Sequence, residues 1–143
     1  SIGGVLPGFD TPTVDDARGV DPLCTRSPDP CPFHSMTLTE ALAGDLPVVY
    51  MIGTPAHCKF ATCGPGLEYL ITASETYAGR AVFLHAEVYA DDAATTVAPA
   101  VNALGLIYEP VIYLTGADGT VRDRIDVIWD AAEIEAVLAA TLG

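Results

Sequence analysis

The sequence predicts an α/β domain with a central mixed β-sheet flanked by helices, preceded by an irregular N-terminal extension. Three observations carry this. The runs VVYMI (48–52), AVFLHAEV (81–88) and VIYL (111–114) are short, apolar and rich in β-branched residues, as in strands covered on both faces. Segments with apolar residues at helical spacing alternate with these runs. Asp118-Gly119 then separates the third run from VRDRIDV, a hairpin signal.

Taken in order, residues 1–36 are rich in Pro, Gly and Asp, with one short extended piece at Phe9 to Val14 and an irregular stretch, CTRSPDPCPFH, from Cys24 to His34. This is an extension, and the domain proper covers 37–143. Thr37 with Glu40 three residues later reads as a capping box opening a short helix that stops at Gly44. Leu67, Leu70, Ile71 and Ser74 mark a helix from about Pro65 to Tyr77, with the proline in the first turn, where its missing N–H costs nothing. A second helix runs from Ala98 to Leu104 and ends at Gly105. Ile134, Val137, Leu138 and Thr141 define a C-terminal amphipathic helix. His85 lies within the second apolar run, and reads as a core histidine with a satisfied hydrogen bond rather than a ligand.

Length and composition narrow the function. A chain of 143 residues can bury a core without metal or disulfide staples, so its cysteines are optional for folding. Half the residues are hydrophobic, yet no apolar run reaches the length of a membrane span, so no stable membrane insertion is expected. The chain opens at Ser1 in a Gly/Pro-rich stretch, compatible with the prior removal of a leader or anchor. Nineteen acids against six bases give a net charge of −13, which repels phosphate backbones and argues against a nucleic-acid partner. The acids are scattered, as on a solvated surface.

Four cysteines form two close pairs, Cys24 with Cys31 and Cys58 with Cys63, a pattern that suits an oxidising, extracytoplasmic compartment: secreted, periplasmic or cell-surface. Neither pair has the Cys-x-x-Cys spacing usual in zinc sites, and no metal or cofactor is expected. A Cys24–Cys31 bridge would pin the Pro-rich loop as a structural disulfide. Cys58 and Cys63 lie between a buried strand and a helix start, with His57 and Lys59 flanking Cys58. Cations and a helix N-terminus both lower a thiol pKa, so this pair is the candidate redox-active dithiol.

These residues resemble the thioredoxin superfamily over about 37–143. The strand VVYMI runs into the loop GTPAHCKFATCGPG and then a helix, where thioredoxin-like proteins keep their dithiol, and GLIYEPVIYL is similar to the family's segment ending in a cis proline and a buried strand. The resemblance implies that Pro110 is that cis proline and that the backbone at Glu109 binds the partner chain. It also implies thiol–disulfide exchange on protein thiols or disulfides. Three departures stand out. Four residues, not two, separate Cys58 from Cys63. Gly64-Pro65 follows the pair instead of lying inside it, and Glu109 replaces a small or β-branched residue. Two alignments compete: strand length places Cys58 as the attacking cysteine with Cys63 resolving, whereas the Cys-Gly-Pro string places Cys63 there and Gly66 at the resolving position.

A peroxiredoxin string fails, because counting from Pro55 puts Lys59 and Thr62 where its motif needs other residues. The competing readings are a non-catalytic binding module with two structural disulfides and a copper metallochaperone of the same fold using His85.

Overall fold

The computed structural model describes residues 2–57, 63–106, 109–127 and 129–143, with only the backbone at Cys63. Its elements are α1 (Leu38–Leu42), β1 (Val48–Ile52), α2 (Cys63–Thr76), β2 (Val82–Ala86), α3 (Pro99–Leu104), β3 (Val111–Thr115), β4 (Val121–Asp126) and α4 (Ala131–Leu142). The sheet order is β2-β1-β3-β4. β1 runs parallel to β2 and antiparallel to β3, which pairs antiparallel with β4.

Local chemistry explains the element ends. The capping box forms: Glu40 N–H donates to Thr37 Oγ1 and Thr37 N–H to Glu40 Oε1, both at 3.0 Å. α2 begins at Cys63, two residues before Pro65, which still falls in the first turn. α3 stops at Gly105, whose φ of 61° suits a residue without Cβ. Asp130 caps α4 by accepting from Glu133 N–H at 2.8 Å. The Asp118-Gly119 pair belongs to a longer turn, closed by Gly119 N–H to the Gly116 carbonyl with Gly119 at φ 83°. β2 is shorter than its apolar run because Val88 and Ala90 pair with Ala98 and Thr96 instead of continuing the ladder.

Every residue of β1 and of β3 is buried, as uninterrupted apolar runs require. Alternation splits their side chains between two cores. Val49, Met51, Ile112 and Leu114 pack with Leu67 and Leu70 of α2 and Ile134 and Leu138 of α4. Val48, Tyr50, Ile52, Val111 and Tyr113 pack on the other face with Leu38 of α1 and Ala100 of α3. The result is a three-layer sandwich. Burial of each large aliphatic side chain contributes about 1.5–3 kcal/mol relative to exposure.

The N-terminal extension is woven into this sandwich. Gly3 and Val121 bond across the β4 edge, while Leu6 enters the α1/α3 core. Phe9 to Val14 forms no strand. Its Thr11 hydroxyl instead accepts from Leu38 N–H, and Val14 N–H donates to the His34 carbonyl. Cys24, Cys31 and Phe33 enter the α2/α4 core.

Candidate functional site

The carboxyl end of β1 is where the chain leaves the sheet toward α2. Ile52 faces Val111 in the register, so Pro110, one residue before β3, lies at this same edge. Pro110 is buried, and the Glu109–Pro110 bond is cis, as are Asp21–Pro22 and Ser27–Pro28. The loop after β1 is fastened to the extension: Ala56 N–H donates to Thr25 Oγ1 at 3.0 Å. Thr25 in turn donates from its N–H to Glu87 Oε2 at 2.8 Å and from its hydroxyl to the same carboxylate.

Cys58 and Lys59 lie outside the described residues, as does any bond between Cys58 and Cys63. His57 is directed toward the segment after β2, with its ring edge-on to Tyr89 and Nε2 3.7 Å from Asp92 Oδ1. Cys63 opens α2, whose first N–H groups have no intrahelical partner and favour an anion. One turn on, Trp129 covers Gly66. Its indole N–H donates to the Gly66 carbonyl at 3.3 Å, and a Cβ on Gly66 would meet the ring at 2.8 Å. Gly66 is the position that a Cys-x-x-Cys reading from Cys63 would assign to a resolving cysteine. The indole fills that space.

A second group of reactive side chains lies on the α2/α4 face, where the sequence reading placed only a structural disulfide. Cys24 and Cys31 lie close together as buried free cysteines in this structure. Their sulfurs lie 3.7 and 3.6 Å from His85 Nδ1, and His34 Nε2 lies 3.1 Å from the same nitrogen. All four side chains are buried, at 7% exposure or less. His85 Nε2 lies 2.8 Å from the Gly53 carbonyl, which makes it the protonated nitrogen and leaves Nδ1 facing the sulfurs. His85 does have the satisfied hydrogen bond expected of a core histidine. Its other nitrogen joins a cluster with three residues of the extension.

Electrostatics set the two thiols apart. A hydrogen bond from Cys31, with help from His34 and His85, holds Cys24 far below the ordinary thiol value despite burial. The same hydrogen bond, burial and the charge on Cys24 push Cys31 up. Burial lowers His34. Burial also opposes charge on His85, but its hydrogen bond and attraction to Cys24, with Glu87 nearby, outweigh it and raise the pKa. Burial raises Glu87 against the pull of His85 and Thr25.

Sequence reasoning missed this convergence. The available signal was Cys31-Pro32-Phe33-His34, a two-residue spacing between a thiol and an imidazole, together with a histidine inside an apolar strand.

The order of strands, the helix after β1 and the proline before β3 define a thioredoxin-like fold. Solved structures agree. The chain is similar to a thiol:disulfide interchange protein of the thioredoxin family from Chlorobium tepidum TLS, with a TM-score of 0.59, 14% identity, and coverage of 100% of this chain and 99% of that one. It is similar to a thiol:disulfide interchange protein from Bacteroides sp. at a TM-score of 0.60 and 10% identity, covering 100% and 91%. It is also similar to thioredoxin O2 from Arabidopsis thaliana, at 0.50 and 18%, covering 73% and 83%. No family model and no curated protein matches the sequence. Among the described residues, no helix is long and apolar enough to cross a membrane.

Proposed function

We propose that this chain is a thiol–disulfide oxidoreductase acting on extracytoplasmic protein disulfides through Cys58 and Cys63. The observation that carries the reading is Trp129 over Gly66. An indole filling that position supports a dithiol whose second thiol comes from the loop before Cys63, where Cys58 is the available cysteine.

In the reducing direction, the Cys58 thiolate attacks one sulfur of a substrate disulfide, forming a mixed disulfide and releasing the other sulfur as a thiolate. The Cys63 thiolate then attacks Cys58, expelling the second substrate sulfur, so the substrate gains two electrons and the chain ends as a Cys58–Cys63 disulfide. The helix N-terminus favours a thiolate at Cys63, and Lys59 and His57 tune Cys58. The backbone at Glu109, ahead of Pro110, receives the partner chain as an added strand, while the Glu109 carboxylate disfavours acidic partners. The even cysteine count and the interchange proteins of like fold support action outside the cytoplasm.

Reduction of insulin disulfides, with dithiothreitol as electron source, tests the activity. The wild-type chain accelerates it, and Cys58→Ser and Cys63→Ser each abolish the acceleration. A wild-type chain that leaves the rate unchanged removes the reading. Alkylation at limiting reagent, mapped by mass spectrometry, labels Cys58 first if it is the nucleophile, whereas first labelling of Cys63 reverses the two roles.

A further inference from the structure

We propose that Cys24, Cys31, His34 and His85 form a four-coordinate zinc site that fastens the N-terminal extension to β2. Their ligand atoms, two Sγ, His34 Nε2 and His85 Nδ1, all lie within 4.8 Å of one another. Tetrahedral geometry with Zn–S near 2.3 Å and Zn–N near 2.0–2.1 Å separates S from N by about 3.5 Å and N from N by about 3.3 Å. The distances here are 3.7 and 3.6 Å for sulfur to His85 Nδ1, and 3.1 Å between the two nitrogens. The cluster therefore has the dimensions of a ligand shell, and an S₂N₂ donor set of this shape selects zinc among the common divalent ions.

The surroundings fit a metal as well as the ligands do. His85 Nε2–H donates to the Gly53 carbonyl, the backbone hydrogen bond that orients a ligating imidazole and turns its other nitrogen toward the metal. Cys31 N–H donates to Cys24 Sγ at 3.4 Å, as backbone amides do to metal-bound thiolates. Glu87, buried and held by Thr25, reaches within 3.9 Å of His85 Nε2 and strengthens the ligand from behind. Two thiolates and two neutral imidazoles carry a charge of about −2, which a divalent cation cancels, and an uncancelled buried charge is costly.

All four ligands come from the protein, so the site has no open position and its role is structural. Three ligands belong to the extension and one to β2. Coordination closes the chain from 24 to 85 and holds the two thiols apart from disulfide chemistry.

The test uses the full chain carrying Cys58→Ser and Cys63→Ser, so that thiolate signals arise from Cys24 and Cys31 alone and failure of the proposed exchange activity has no bearing on the result. The reduced, metal-free protein is titrated with Co²⁺ and then with Zn²⁺. One equivalent of Co²⁺ should give thiolate-to-cobalt charge-transfer absorption with the intense visible bands of a tetrahedral site. One equivalent of Zn²⁺ should abolish both. In the same background, His34→Ala should weaken binding at least tenfold, Cys24→Ser should weaken the charge-transfer band, and replacing both Cys24 and Cys31 by Ser should remove it. A wild-type-ligand chain that gives no such spectrum while remaining folded by circular dichroism overturns the proposal. So does a chain isolated without chelator that contains no zinc and carries a Cys24–Cys31 disulfide by mass spectrometry.

Discussion

Trp129 lies against Gly66, close enough that a single added methyl group at residue 66 would fall 2.8 Å from the indole nitrogen. Gly66→Ala is therefore an overpacking substitution and should destabilise the chain by about 1–3 kcal/mol. Urea unfolding checks this. In a Trp129→Leu background the same substitution should cost less than about half as much, because the two sites share one space. An unchanged midpoint for Gly66→Ala alone would mean that the indole moves aside freely.

Thr25 joins three parts of the molecule through one hydroxyl, accepting from Ala56 N–H and donating to Glu87. Thr25→Val keeps the shape and removes both bonds, leaving polar groups unsatisfied at an expected cost of about 1–3 kcal/mol. Hydrogen exchange at the Ala56 amide should accelerate more than exchange in β1. Uniform acceleration across both would show that Thr25 serves global stability alone.

The Tyr50 hydroxyl is buried and, among the described residues, meets no hydrogen-bond partner, and burial raises its pKa. Tyr50→Phe removes an unsatisfied group while keeping the ring against Phe9, so it should stabilise the chain by about 1 kcal/mol. A lower unfolding midpoint would reveal a partner for the hydroxyl.

Backbone and side-chain hydrogen bonds from Thr37 hold the Glu40 carboxyl below its ordinary value of 4.5. A carboxyl depressed in the folded state adds stability above its unfolded pKa, and that stability is lost as pH falls through the folded pKa. Glu40→Gln keeps the capping acceptor but has no charge to lose. Wild type should therefore exceed the variant at neutral pH, with the gap closing below the carboxyl range. Chemical unfolding at both pH values reads it, and a constant gap would assign the difference to packing.

The fold could be read from particular residues because its determinants are local. An apolar run such as VVYMI declares a doubly covered strand, Thr37 and Glu40 declare a helix start, and Gly105 declares a helix stop, each within a few neighbours. The cluster of Cys24, Cys31, His34 and His85 could not be read that way. His85 lies 54 residues beyond Cys31, and it meets the extension only because its strand register places it on the α2/α4 face beside Met51. Gly66 was similarly opaque: a glycine in a helix suggests close approach of something, but the indole that approaches comes from 63 residues downstream.

Trp129 is the chain's single tryptophan, and it rests one turn from Cys63. The molecule therefore carries its own optical reporter. Any rearrangement of the first turn of α2 around Gly66 alters the surroundings of the one indole, so the emission of unlabelled protein follows that turn in real time, free of background from other tryptophans.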